Sequence, residues 1–536
     1  MLEHLGPGFA AALTLANVAW CLAGALIGTL IGVLPGVGPV AAIAMLLPAM
    51  HALDPTAALI LLAAVYYGAQ YGGTTAASLL AGGAGTPPVP TSASTSAEGA
   101  RLPDAQRPEA ADASGTRTLA EGDDADARAA RSGAALAVAS LGSFTAGCLA
   151  TLLIALAAAP LLDLAAGFEP VELFALMTFV LVASIALAPG SLVKAGGMIL
   201  VGLLLGQLDH DVATGAVRLA VTLPPASQGT VFIGLAMGLF VFGAILARLA
   251  PRVVAPPPAA APPSPAAPAG VPLGRLWPTR EALRPIGPPV LRGTLLGALL
   301  GVLPGRGPRL AAVLSQRLER RLAHRRPEGE AAPADAEIGP EAAHHAGAQS
   351  SLVPMLMLGT PANAVTALMA GVLAQKGIGP LLAQTDPVLP WAVIASMWIG
   401  NALLLLLNLP LVGLWKRLLA VPYRILFPAL VVVCCVGLYT MAGNPADVWV
   451  GAFFGFVGFV LIRLGCEPAP LLLAFVLGPM MEARMREALA QSQGDWSVFV
   501  TRPISAALLF ACTAILLSVW LPSIRRLRDR TFRERG

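Results

Sequence analysis

Two short, nearly identical segments place proline and glycine where an anion can meet the peptide backbone. The residues concerned are Pro35, Gly36, Gly38, Pro304, Gly305 and Gly307. Proline cannot continue a helix and glycine adopts otherwise strained angles, so both segments are expected to break a helix. The half-helix that follows each break directs free N–H groups and a partial positive charge outward. This arrangement predicts a site for a carboxylate, with carbonyl groups at the preceding helix end available to Na⁺.

Hydroxyl, amide and imidazole side chains follow each break and can complete such a site. They are Gln70, Thr74, Thr75, Ser78 and Thr86 in the first half, then His345, Gln349, Ser350, Ser351, Thr360 and Asn363 in the second. Small hydroxyls also join helices in lipid, which is the alternative role for each one taken singly. Neighbouring helical residues point about 100° apart, so only one of His344 and His345 is expected to face the site.

The helices that lead into the breaks carry a glycine at every fourth position. The segment from Gly24 to Pro39 aligns without gaps on the segment from Gly293 to Pro308, with identity at 11 of 16 positions. Glycines at this spacing form a flat stripe on one helix face, where another backbone can approach closely. The duplication predicts two structurally repeated halves with Pro/Gly-broken helices or re-entrant hairpins, a pattern typical of secondary transporters.

The composition indicates that this protein lies in lipid. Of its 536 residues 56% are hydrophobic and 12% are charged, about half the charged share of a soluble domain. Runs such as the one from Trp391 to Leu409 approach the roughly 20 apolar residues that cross a bilayer as a helix. Because these runs are continuously apolar rather than alternating, they exclude a β-barrel. The predicted fold class is an all-α polytopic membrane protein.

Polar and low-complexity stretches divide the chain. We predict a first transmembrane repeat over 1–250 with a polar loop at 91–131, a Pro/Ala-rich linker at 251–289, a second repeat over 290–524 and a basic tail at 525–536. Since cytoplasmic loops hold the excess of arginine, the linker and the tail are expected in the cytoplasm. Leu291 to Gln316 then returns to its starting side within 26 residues. That length is too short for two spans and favours a re-entrant hairpin.

No residue cluster has the pattern of a catalytic, metal or cofactor site. GxSxG, HExxH and Walker A sequences are absent, and the six cysteines lack metal-ligand spacing. An enzyme is therefore not expected, and neither is a bound metal or cofactor. A formal net charge of +4 is too small to indicate nucleic-acid binding. Transport would be driven by a gradient of Na⁺ or H⁺, or by another subunit.

The segment from Gly28 to Pro39, followed by Ala42 to Pro48 and Tyr66 to Thr74, closely resembles the large permease subunit of tripartite tricarboxylate transporters, the TctA type. Pro354 to Pro361 and Leu477 to Glu482 agree with this resemblance. It implies uptake of tricarboxylates or other small carboxylates across a bacterial inner membrane, driven by an ion gradient. It also implies two protein partners, a periplasmic solute-binding protein and a small four-helix membrane subunit.

Two positions depart from the pattern of that family. His344-His345 stands where an Asn-Asn pair is usual, and Ala84-Gly85-Thr86 stands where Pro-Gly-Thr is usual. Both departures leave the expected fold intact, and they leave the identity of the substrate and of the coupling ion open. The alternative function is a stand-alone ion-coupled carboxylate carrier that needs no binding protein, and uptake by the chain alone would favour it.

Overall fold

The computed structural model describes residues 2–34, 37–84, 121–188, 191–207, 228–250, 286–323, 335–379, 382, 386–408, 410–419 and 421–520. Every regular element within these ranges is a helix. The basic tail and the linker up to residue 285 lie outside them, as do Pro35, Gly36 and Thr86. The all-α fold class is confirmed for the described part of the chain.

The first half contains nine α-helices within the described ranges. They are α1 (Leu2–Ala12), α2 (Leu15–Val33), α3 (Pro39–Met50), α4 (Pro55–Ala84), α5 (Glu121–Ala166), α6 (Pro170–Ala186), α7 (Leu192–Gly206), α8 (Gln228–Met237) and α9 (Gly243–Leu249). A π-helical turn, Gly238–Phe242, joins α8 to α9. Proline starts α3 and α6, because its missing N–H is not needed at the first helical position. Since α5 begins at Glu121, the last part of the predicted polar loop is helical.

The second half contains shorter helices around its breaks. They are α10 (Gly287–Gly301), α11 (Gly307–Ala323), α12 (Asp335–Ser350), α13 (Val353–Leu358), α14 (Ala364–Gln375), α15 (Leu389–Asn408), α16 (Val412–Leu419), α17 (Tyr423–Ala442), α18 (Pro445–Arg463), α19 (Pro468–Gln491), α20 (Val498–Thr501) and α21 (Pro503–Trp520). Gly359 ends α13 with a φ of 65°, a left-handed angle that glycine adopts at little cost. Asn363 and Thr366 then start α14 with a reciprocal capping box.

Six helices in the described ranges are long and apolar enough to cross a membrane. They are Leu15–Val33, Ala137–Ala166, Val231–Leu249, Leu389–Asn408, Arg424–Met441 and Pro445–Arg463. Large apolar side chains on one of them point outward, with Trp449 75% and Phe453 61% exposed. A surface of this kind fits lipid and not water. The chain is therefore a multi-pass membrane protein.

The glycine stripe of the first half packs against α4. A methyl group placed on Gly28 would lie 2.5 Å from the carbonyl oxygen of Val65, and one on Gly24 would lie 2.7 Å from Cβ of Ala64. Both distances are too short for real atoms, so only glycine permits this approach of the two backbones. Gly24 meets Leu61, Gly28 meets Val65 and Gly32 meets Ala69. Because the residue numbers of the contacting positions increase in the same direction along both helices, α2 and α4 are parallel. We call them the first glycine pair.

The second half uses its glycine stripe in the same way. A methyl group on Gly297 would meet the carbonyl oxygen of Ala343, and one on Gly301 would meet that of Gly347, one turn further along both helices. We call α10 and α12 the second glycine pair, and its helices are also parallel. The glycine contacts of the two halves correspond, while the repetition of the halves as whole structures stays a prediction.

The segment that contains Pro304 forms a hairpin of two antiparallel helices. Arg292 near the start of α10 pairs with Glu319 near the end of α11, while Gly307 packs against Leu300 and Gly301 at the tip. The helices have 15 and 17 residues, which makes them about 22 and 25 Å long at 1.5 Å per residue. Both are shorter than the roughly 30 Å hydrocarbon core, as a re-entrant hairpin requires.

Replacing Arg292 with alanine is expected to loosen this hairpin. The guanidinium donates from Nε and Nη2 to the two carboxylate oxygens of Glu319 over 2.9 and 2.7 Å. The substitution leaves the carboxylate of Glu319, only 5% exposed, without that partner, and we expect a loss of about 1–3 kcal/mol of stability. Thermal unfolding in detergent measures it. Arg484→Ala, which breaks a more exposed pair with Glu487, is the control, and equal losses would contradict the prediction.

The two glycine pairs run in opposite directions where they meet. The hydroxyl of Tyr66 on α4 lies 3.5 Å from that of Ser351 just beyond the end of α12, and the Tyr71 ring packs at a tilt against His345 with ring centroids 4.6 Å apart. Residue numbers therefore rise along α4 as they fall along α12, so these helices are antiparallel. This inverted arrangement is common in secondary transporters, which bind their solute between the inverted units.

Candidate functional site

A group of buried polar side chains lies where the inverted pairs meet, and we call it the central polar cluster. Its members are Thr74 on α4, Ser143 and Thr151 on α5, Glu341, His345 and Gln349 on α12, and Asn401 on α15. His345 is 3% exposed, Gln349 2% and Asn401 0%. Polar groups so deep inside an apolar helical protein are costly unless they are bonded or functional.

The imidazole of His345 joins the two halves. Its Nε2 lies 3.3 Å from Oγ1 of Thr74, whose hydroxyl donates to the carbonyl of Gln70 over 3.2 Å. The hydroxyl is thus an acceptor for an N–H of His345. On the other side, the carboxylate of Glu341 lies 3.9 Å from Nε2 and accepts a hydrogen bond from Ser143 over 2.9 Å. One chain of polar contacts therefore links α4, α12 and α5.

Gln349 bridges α5 and α15 one turn further along α12. Its Oε1 accepts from Thr151 over 2.9 Å, and its Nε2 donates to Oδ1 of Asn401 over 2.8 Å. The amide nitrogen of Asn401 is buried and has no hydrogen-bond partner among the described residues. A buried donor without a partner costs about 1–3 kcal/mol, which a bound acceptor such as a carboxylate oxygen would recover.

A second polar site lies at the tip of the hairpin. Gly305, with a φ of 82°, packs against Ser184 of α6 and faces the start of α14 at Asn363. Arg306 forms an ion pair with Glu467 just before α19. These residues line an open cleft whose enclosed space is only about 30 Å³. That space holds about one water molecule, so binding of a carboxylate here requires the surrounding helices to move apart.

The backbone at the tip is less available than its sequence predicts. The N–H of Gly305 donates to the carbonyl of Ala362 over 2.7 Å, and the N–H groups of Ala362 and Asn363 both donate to Oγ1 of Thr366. The N–H of Gly305 is therefore already bonded within the protein, while the free N–H groups predicted at the start of the following half-helix stay a prediction. The hydroxyl of Thr360, in contrast, is fully buried and has no partner among the described residues.

The structure brings some of the predicted site residues together and leaves others apart. Thr74, His345 and Gln349 belong to the central polar cluster, with Gln70 bonded beside it, while Gly305 and Asn363 line the cleft. Ser350 donates to the carbonyl of Gly297, so it joins two helices, as the structural alternative predicts.

The remaining predicted residues lie away from both sites or outside the described part of the chain. Thr75 donates to Oδ1 of Asn408, Gly38 precedes the first residue of α3, and Pro304 and Gly307 shape the hairpin turn. The side chain of Ser78 lies outside the described part, as do Pro35, Gly36 and Thr86 as whole residues. These last four calls stay predictions.

Several residues of both sites are not predicted from the sequence. They are Ser143, Thr151, Ser184, Glu341, Asn401 and Glu467. A signal exists for Thr151 and Asn401, because each is a lone polar residue inside a long apolar run. Glu341 gives no such signal, because its neighbourhood in the sequence is polar.

Comparisons with known proteins agree with this architecture. Residues 18–121 and 125–473 match the tripartite tricarboxylate transporter TctA family. The "Uncharacterized 52.8 kDa protein in TAR-I ttuC' 3'region" of Agrobacterium vitis is 44% identical over 540 residues, which cover 100% of this chain and 99% of that protein. The "Uncharacterized protein in TAR-II ttuC' 3'region" of the same organism is 52% identical over 198 residues, 37% of this chain and 82% of that protein. No solved structure matches.

The family match covers both glycine pairs, the hairpin and the central polar cluster, and it extends to Leu473 at the edge of the cleft. The relative of matching length carries the similarity through the rest of the chain. The resemblance of the glycine-proline motifs is thereby confirmed. The chain belongs to the tripartite tricarboxylate transporter TctA family, a family of membrane transporters.

Proposed function

We propose that this chain is the large membrane permease subunit of a tripartite uptake system for tricarboxylates or other small carboxylates. In this proposal a periplasmic solute-binding protein delivers the solute, a small four-helix membrane subunit completes the complex, and an ion gradient drives uptake. The complex lies in a bacterial inner membrane, with the linker and the C-terminus in the cytoplasm. The observation that carries the proposal is the meeting of two oppositely directed glycine pairs at a buried polar cluster.

The two polar sites suit an anionic solute. At the cleft Asn363 offers an amide group and Arg306 a guanidinium that it shares with Glu467, while Asn401 offers an amide N–H without a partner among the described residues. Thr360 adds a buried hydroxyl that can donate to a carboxylate oxygen. We also propose that the predicted residues of the first break, Pro35, Gly36 and Gly38, contribute backbone groups to the solute's route through the first half.

Reconstitution into liposomes tests the proposal. The chain alone, the chain with its small subunit, and both with the binding protein are compared for uptake of radiolabelled citrate and a four-carbon dicarboxylate under an imposed ion gradient. Uptake only in the complete system supports the tripartite function. Equal uptake by the chain alone supports the stand-alone carrier, and no uptake of any carboxylate by the complete system contradicts both.

Asn401→Leu is expected to weaken solute binding while the protein stays folded. The change keeps a side chain of similar size and removes the unpartnered amide N–H together with the Oδ1 that accepts from Gln349, so the melting temperature is measured beside uptake. Loss of a hydrogen bond to a charged group costs about 1.5–3 kcal/mol, so KM should rise about 10-fold to 100-fold. Initial uptake rates over a range of citrate concentrations measure it.

The matched control is Asn408→Leu, two turns further along α15. The amide nitrogen of Asn408 already donates to the carbonyl of Leu404, and its oxygen accepts from Thr75. Both groups are therefore already bonded within the protein. Its KM is expected to stay within about twofold of the wild type, since both of its roles are internal. An unchanged KM in Asn401→Leu would contradict a role for Asn401 in binding.

A further inference from the structure

Two ionisable side chains lie one turn apart on α12, inside the contact between the inverted pairs. Nε2 of His345 is 3.9 Å from Oε1 of Glu341, and the exposed fractions of the two side chains are 3% and 16%. Each has one neutral partner from another helix, Thr74 for His345 and Ser143 for Glu341. This geometry holds a carboxylate and an imidazole together in an environment nearly free of water.

Other titratable or charged groups surround the pair without entering it. They are Tyr71 on α4, Cys148 on α5, Glu337 and His344 on α12, and Arg309, Glu319 and Arg320 on α11, with Arg292 of α10 paired to Glu319. Arg309 interacts electrostatically with His344, and Arg320 does so with Glu337. These two arginines therefore affect neighbours of the pair. His344 has a nearby arginine, whereas His345 lies beside Glu341.

We propose that Glu341 and His345 together bind the proton whose downhill movement drives solute uptake. The inference rests on the proposed transport function and identifies its coupling ion. One proton on the pair leaves it neutral overall, either as a carboxylic acid beside a neutral imidazole or as a carboxylate beside an imidazolium. Removing that proton would leave an uncompensated buried carboxylate, which is costly. While the pair is shielded from water it therefore keeps its proton. It releases the proton only when the protein opens the pair to water on one side of the membrane.

The donor set distinguishes a proton from Na⁺. Hard cations take several oxygen ligands from carboxylates, carbonyls and water. Here the carboxylate has an imidazole nitrogen 3.9 Å away beside the Ser143 hydroxyl, and an imidazole suits a proton better than Na⁺. Gln349 lies one turn beyond His345 on the same helix and bonds Asn401. A single helix thus carries the proton pair and Gln349, the bonding partner of the Asn401 amide proposed to bind the solute, so movement of α12 would affect both.

The test separates coupling from transport in the complete reconstituted system. Wild type and Glu341→Gln are compared in citrate accumulation driven by a pH gradient and in exchange of labelled for unlabelled citrate at equal pH, with binding protein on both sides. Exchange needs no net proton movement, whereas accumulation does. We expect citrate accumulation by Glu341→Gln to be at least about tenfold lower than that of the wild type. Its rate of citrate exchange should stay within about twofold of the wild-type rate. His345→Asn should behave in the same way, because it removes the other half of the pair.

Two variants on the same helix are the matched controls. Glu337→Gln and His344→Asn make identical chemical changes one turn before Glu341 and one residue before His345, outside the pair. Both should accumulate citrate as the wild type does. Glu341→Asp keeps a titratable group and should recover part of the accumulation lost in Glu341→Gln.

Three results would overturn the inference. The first is accumulation by Glu341→Gln under a pH gradient at the wild-type rate. The second is loss of exchange together with accumulation, which would assign the carboxylate a structural role. The third is a wild type that accumulates citrate with a Na⁺ gradient and not with a pH gradient. A wild type without citrate transport in any arm would instead contradict the proposed function itself.

Discussion

Replacement of Gly297 by leucine is expected to separate the second glycine pair and to cost about 3 kcal/mol or more of stability. A methyl group alone at this position would lie 2.8 Å from Cβ of Ala346 and 2.9 Å from the backbone nitrogen of Gly347. Backbone atoms cannot move aside as a flexible side chain can, so α10 has to move away from α12. The melting temperature and the monodisperse fraction in detergent measure the loss.

Gly196→Leu is the matched control for this prediction. Gly196 lies inside α7, and nothing stands within 4 Å of a methyl group added there. The same substitution should therefore change stability by less than about 1 kcal/mol, as at most surface positions. Similar losses in both variants would show that leucine is harmful for a reason common to both positions, and would contradict close packing at Gly297 as the cause, since leucine favours a helix more than glycine does.

Gly305→Leu is expected to abolish carboxylate uptake while the protein still folds and inserts. Gly305 has a φ of 82°, and its nearest neighbour beyond the turn is Ser184, 3.5 Å from an added methyl group. Leucine therefore occupies the cleft and strains the turn by about 1–2 kcal/mol. Uptake in the complete reconstituted system should fall more than tenfold, because about 1.4 kcal/mol of lost binding already has that effect.

Gly377→Leu separates strain from occupancy of the cleft. Gly377 has a φ of 74° and open space around it, after the end of α14. Its leucine variant carries the same backbone strain at a position that lines no cleft. We expect normal uptake from it, per unit of folded protein. Equal losses of uptake in both variants would attribute the effect to strain, and normal uptake by Gly305→Leu would contradict a role for the cleft.

Part of the site could be predicted because it depends on local rules. Glycine spacing along α2 and α10 predicts close helix contacts, and those contacts are present at Gly28 and Gly297. A run of polar residues in an apolar chain predicts a functional interior, and Thr74, His345 and Gln349 lie there. These features follow from helix periodicity and from the cost of polar groups in lipid, which act on each segment separately.

Other parts depend on contacts between residues far apart in the chain. Thr74 meets His345 across a separation of 271 residues, and the choice of His345 over His344 depends on how α12 is rotated against α4. Glu341 enters the site because Ser143 of α5 lies opposite it. No local pattern contains these relations.

The sequence by itself determined that this protein lies in lipid and is helical, and it determined the duplicated glycine helices and the positions of their breaks. Tertiary structure alone decided that the two glycine pairs run in opposite directions and that Glu341 lies beside His345. It also decided that the N–H of Gly305 donates to the carbonyl of Ala362. The physical reason is one of range. Apolar length, helix propensity and proline breaks act within a few turns, whereas the direction and rotation of packed helices depend on side chains contributed by the whole chain.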